Sequence, residues 1–182
     1  MKERILIIPV ATKEWWASII RFVLRSKFNH IFILYESMLW GSWWAVDIRK
    51  YGVVKVPSEN ATDRVKYAEF WECRLPLERG LKETRKYVLS GYDILGVISA
   101  SIKWALWRFT GFEWTRPVHS ADKMWCPEYV AMIIRMSGIP HAESMEPAVS
   151  FPGDIQSFMD SSIYFKQVDN PFGDTGENYV TS

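Results

Sequence analysis

Residues 124–140, MWCPEYVAMIIRMSGIP, decide the fold. Tyr129, Val130, Ile133 and Ile134 recur at helical spacing, and Gly138 and Pro140 supply the stop signal, so the segment from Cys126 to Met136 reads as a helix with an apolar face. Pro127 fits the first turn, where its missing N–H costs nothing. Cys126 therefore opens the helix, where the first-turn N–H groups and the helix dipole favour negative charge. A cysteine among apolar residues is more often a small buried hydrophobe than a nucleophile. A catalytic role needs a base to go with it.

Working outward, His30 is the histidine placed to serve. It enters the apolar, β-prone run NHIFILY (residues 29–35), and from a strand its ring can reach across a cleft to a helix-terminal thiol. Taken alone, a histidine satisfied by local backbone groups accounts for it better. His119 and His141 fall in predicted loops, where solvated histidines are ordinary. A third group is needed to fix the ring tautomer. Asp47 is the first choice, because it interrupts the apolar strand WWAVDI (residues 43–48), and a carboxylate in such a strand calls for a partner. Glu36 and Ser42 are alternatives, with Glu36 better suited to an exposed hairpin turn. Tyr92 and Trp125 are the candidate substrate contacts, Tyr92 being better suited to packing. Cys73, beside Trp71 and Glu72 on a predicted strand, reads as structural. Without paired His/Cys spacing, no metal and no cofactor are expected.

The remaining elements follow from period and punctuation. Residues 4–10 read as a buried strand, and residues 12–25 as a helix capped by Thr12 with Trp16, Ile19, Ile20, Val23 and Leu24 on one face. A hairpin at residues 36–41 joins the His30 and Asp47 strands, and a further strand covers 52–56. Residues 57–64 read as a loop, 68–75 as a strand, 77–89 as a helix stopped by Gly91, and 92–109 as a longer core-side helix. Residues 110–123 lack periodicity and read as a loop. A turn at 151–154, a short helix at 155–159 and a strand at 163–168 complete a domain of residues 1–169. Residues 170–182 read as a flexible polar tail.

Composition narrows the functions. A chain of 182 residues with 48% hydrophobic content has material for one core. Lys+Arg 22 against Asp+Glu 21 leaves no electrostatic footprint for nucleic acid. Two cysteines make no disulfide framework. The first residues, MKERILIIPV, lack the features of a signal peptide, and the apolar stretch at 94–109 is broken by Ser99, Ser101, Lys103 and Arg108. The expectation is no transmembrane segment and a cytoplasmic or virion-associated protein, with peripheral membrane contact left open. The 10 tryptophans serve packing or a hydrophobic ligand surface.

Together these segments resemble the circularly permuted branch of the NlpC-type cysteine peptidases, the YiiX-like group, which is similar in its order of parts to lecithin retinol acyltransferases. The likeness rests on ERILIIPV (3–10), WASIIRFVLRSKFNHIFILYE (16–36), AVDIRKYGVVKVP (45–57), GYDILG (91–96), Cys126-Pro127-Glu128 with proline in place of the usual serine, and the Pro152-Gly153-Asp154 turn. In that branch the cysteine comes late, reversing the papain order. Asp47 stands where glutamate is commoner, and Asn29 precedes the histidine. The resemblance implies an α+β, permuted papain-like fold, an antiparallel sheet or barrel packed against helices. It implies Cys126 as nucleophile, His30 as base and Asp47 as orienting group. The implied activity is hydrolysis of an amide in a small peptide, such as a peptidoglycan stem peptide. The alternatives are a lipid-directed acyltransferase or thioesterase, and an inert binding or virion module.

Overall fold

The run Ile5–Thr12 is buried along its whole length, as a strand covered on both faces must be. This strand, β1, is the spine of the computed structural model, which describes residues 4–37, 41–49, 52–88, 90–93, 123–173 and positions 99, 102, 106, 110 and 111. β2 (His30–Ser37), β3 (Ser42–Arg49) and β4 (Gly52–Pro57) follow as antiparallel neighbours, with Ile7 opposite Ile33 and Ile33 opposite Val46. On the other side of β1 lie β5 (Val65–Ala68) and β6 (Phe70–Cys73), and β9 (Phe165–Val168) pairs with β6. The sheet runs β4-β3-β2-β1-β6-β9, with β5 also on β1. Most of the expected strand at 68–75 is β6, which Glu69 parts from β5; the pairing of β5 with β1 shifts register between Ala11 and Thr12, opposite Tyr67 and Val65.

Each sheet face has its own core. Ile5, Ile7, Ile31 and Ile33 face α4 (Cys126–Met136) and α5 (Pro152–Ser161), where Ile133, Ile134, Ile155 and Met159 meet them. Leu6, Ile8, Phe32, Leu34, Ala45, Val65 and Phe70 form the second core on the opposite face. The alternation along β1 and β2 writes both cores into the sequence. Phe172 also packs on this side, edge-on to the rings of Trp43 and Phe70.

α1 (Trp15–Leu24) begins after Glu14, not at the expected Thr12, which is the last residue of β1 and whose N–H is taken by Asn29 Oδ1 at 3.0 Å. Its buried side centres on Ala17, while Ile19, expected to face the core, is exposed. The loop expected at 57–64 holds a single helical turn, α2 (Ser58–Thr62), too short to show a period. The helix expected at 77–89 is α3 (Glu78–Thr84) and a 3-10 turn, Arg85–Tyr87. Gly91 is not its cap. It opens β7 (Gly91–Tyr92), which pairs in parallel with β8 (Lys123–Met124), so Tyr92 is in a strand where a helix start was expected. Most of the expected 92–109 helix and 110–123 loop lies outside the described residues, as do residues 174–182 of the expected tail; Ser99, Ile102, Leu106 and Thr110 are helical. The chain passes so close at Gly52 (φ +101°) that a Cβ there would collide with the Ser90 carbonyl, which sets β7 against β4. No helix among the described residues is long and apolar enough to cross a membrane.

Candidate active site

α4 spans the residues its periodicity predicts. Its last turn ends at Gly138 in the left-handed region (φ +72°), where glycine carries no Cβ penalty. Its first turn is fixed by buried Glu128, whose carboxylate accepts the Trp125 N–H at 3.4 Å. α5 repeats the device, with Asp154 accepting the Phe151 N–H at 2.8 Å. The two preceding aromatics, Trp125 and Phe151, meet edge to face at 5.3 Å. Cys126 is thereby held at a helix start that is buried and anchored on both sides.

Strand parity brings the partners together. Ile33 and Val46 are paired and face α4, so His30, three residues earlier, and Asp47, one residue later, share the opposite face. His30 Nε2 donates to Asp47 Oδ1 at 2.7 Å. A carboxylate only accepts, so this bond puts a proton on Nε2 and leaves Nδ1 for a second partner, and Cys126 lines the same pocket as His30. Burial alone would lower the His30 pKa, but the negative charges of Cys126 and Asp47 and the hydrogen bonds to both hold it well above the ordinary histidine value. Burial would raise Asp47. The His30 charge and hydrogen bond, with those of Arg49, bring it instead to about 2.

Arg49 is the member that the sequence reading missed. Its Nε donates to Asp47 Oδ2 at 2.8 Å, and its other end is tied to the Asn60 carbonyl. The signal was present, since residues 47 and 49 of one strand share a face, and a second charge beside a buried carboxylate is a natural partner. Of the alternatives for the third position, Glu36 is exposed and Ser42 accepts from Trp44 Nε1 at 3.1 Å; both lie at the hairpin end of β2 and β3. His141 is exposed. Cys73 stands at the end of β6 opposite Phe165.

A pocket of about 370 Å³ opens onto Cys126, His30 and Asp47. Tyr92 and Trp125 both line it. Burial first, then the negative charges of Cys126, Asp47 and Asp93, push the Tyr92 phenol far up, so it stays a neutral O–H donor at working pH. Trp125, nearly fully buried, forms wall more than surface. Part of the lining is aliphatic, supplied by Val10, Ile20, Leu24 and Val65, and exposed Arg64 also lines it. Glu14 also lines the pocket, and its buried Oε2 has no hydrogen-bond partner among the described residues, leaving an acceptor for a donor on a ligand.

No family model matches the chain, and no curated protein matches it. Among solved structures, the metalloprotein yiiX from Escherichia coli O157:H7, a DUF1105 protein, superposes with a TM-score of 0.58 at 14% identity, covering 92% of this chain and 97% of that one. The fold is YiiX-like. The match spans nearly all of both chains, so the shared architecture includes the mixed α+β layers and the antiparallel sheet packed against helices. At this identity the likeness concerns fold alone.

Proposed function

We propose that the protein is a thiol hydrolase on a permuted papain-like fold, acting through Cys126, His30 and Asp47. One observation carries this reading: the imidazole of His30 is bonded to a buried carboxylate at 2.7 Å and lines one pocket with a thiol at a helix start. A raised His30 pKa keeps a proton on the ring, available for a leaving group.

In this mechanism the Cys126 sulfur attacks a substrate carbonyl and forms a C–S bond. As the tetrahedral intermediate collapses, the bond to the leaving amine breaks and His30 gives it a proton. Water then attacks the thioester, His30 takes the water's proton, the acid departs and the pair is restored. Asp47 holds the ring's orientation through Nε2, and Arg49 holds Asp47. Pro127 has no N–H to give, so the oxyanion falls to the Cys126 N–H, which has no partner within the helix, and to the neutral Tyr92 hydroxyl.

The substrate suggested by the resemblance is an amide in a small peptide, of the peptidoglycan stem type. The aliphatic wall of Val10, Ile20, Leu24 and Val65 favours a second reading, an acyl ester or thioester whose chain lies along that wall. The yiiX relative is described as a metalloprotein, but among the described residues here no group of three or more His, Cys, Asp or Glu side chains is arranged for a metal ion. The deciding experiment offers stem peptides and medium-chain acyl thioesters to the wild type and to Cys126→Ala. Turnover of either that vanishes in the variant supports the proposal and names the substrate class, whereas turnover that survives in Cys126→Ala refutes it.

A further inference from the structure

α1 exposes more apolar surface than a core helix can account for. Trp15, Ile19 and Phe22 are 77%, 54% and 83% exposed, and their i, i+4, i+7 spacing sets them in one ridge. The opposite side of the helix is occupied, with Ala17 buried and Ile20 and Leu24 in the pocket wall. The other exposed large hydrophobics among the described residues, Val88, Ile102 and Ile163, do not share an element.

The charge around the ridge has one sign. Lys13, Arg25 and Lys27 are exposed, and Arg21 is half-buried, bonded to Asn29 Oδ1 and Ser18 Oγ. Glu14 is the single acid in residues 13–27, and one of its carboxylate oxygens is buried. Asp63 is exposed on the neighbouring turn, and its carbonyl accepts from Lys13 Nζ at 3.2 Å. Arg64, exposed in the pocket lining, carries the same sign.

We propose that α1 docks the protein on an anionic lipid surface, with the Trp15–Ile19–Phe22 ridge in the headgroup–acyl boundary and the cations among the phosphates. A tryptophan and a phenylalanine on a cation-flanked helix suit that boundary. Three side chains on a ten-residue helix make too small a patch for a stable dimer, which needs roughly 800 Å² from each partner. The docking stands without the hydrolase reading.

Cosedimentation with vesicles of phosphatidylcholine alone, and with a minority of phosphatidylserine, tests it. The full chain is expected to bind the anionic vesicles and to leave the neutral ones largely unbound. Trp15→Ser/Ile19→Ser/Phe22→Ser should lose about tenfold or more of that partition. Arg25→Glu/Lys27→Glu, which leaves the ridge intact, should lose the preference for phosphatidylserine. Both variants should keep the wild-type circular dichroism and the wild-type rate on soluble substrates, so a failure of docking is distinguishable from a failure of the chemistry. Absence of wild-type binding, or a ridge variant that binds as well as wild type, overturns the proposal. So does a concentration-dependent dimer in sedimentation velocity that the ridge variant abolishes, since the occupant is then a second copy.

Discussion

The chain carries two cysteines in opposite circumstances. Cys73 ends a strand, half-exposed, paired across the sheet with Phe165 and packed at the edge of the helix-side core. Cys126 is buried, begins a helix and meets a histidine that is itself bonded to a carboxylate. The residue type is the same, so the difference in chemistry between them has to come from neighbours. Burial by itself would keep a thiol inert. What distinguishes Cys126 is a carboxylate-bonded histidine lining the same pocket.

The largest effect that can break this contrast is on turnover. Cys126→Ala should lower kcat/KM by about 10³-fold or more, since the covalent route disappears with the sulfur. His30→Ala should cost about 10²–10⁴-fold, measured on the same substrate, because proton delivery to the leaving group is lost. Asp47→Asn should cost about 10²-fold, with the loss in kcat rather than KM, as the ring loses its anchor but substrate contacts remain.

Acid stability sharpens the same point. The folded Asp47 titrates at about 2, below the ordinary carboxylate value, so its contribution is complete above roughly pH 4 and is lost as pH falls through 2. His30 has the opposite sign. Its raised folded pKa gives stability that is complete below roughly pH 6 and fades as pH rises through the folded value. Chemical denaturation of Asp47→Asn between pH 5 and 2, as chosen conditions, should therefore show a flatter acid limb than wild type, the difference being on the order of 2 kcal/mol. Smallest of all, Cys73→Ser should leave kcat/KM within about twofold of wild type, as expected for a position away from the reacting atoms.

Much of this contrast was legible in the sequence, for identifiable reasons. The span of α4 was readable because period, Pro127 and Gly138 agree. Asp47 was readable because a carboxylate in an apolar strand demands a partner. α2 was not, since one turn of helix carries no period. Tyr92 was misplaced in a helix because its two-residue strand is created by a pairing with Lys123–Met124, more than thirty positions away, which no local propensity records. Arg49 was overlooked although its Asp47 contact is local to β3; only its second partner, the Asn60 carbonyl, requires β3 and α2 to be assembled. Ile19 was grouped on one face with Ile20 and Leu24 although it stands exposed, because periodicity reports that a helix has an apolar side but not which side the core covers.

The most direct measurement is the rate of iodoacetamide alkylation at Cys126 against pH, in Cys73→Ser protein with and without His30→Ala. Sulfur reacting rapidly at mildly acidic pH while the histidine is present, and slowing severalfold or more once it is gone, is the predicted pattern. Equal rates in the two proteins, climbing only at alkaline pH, would contradict a working partnership between this thiol and this imidazole.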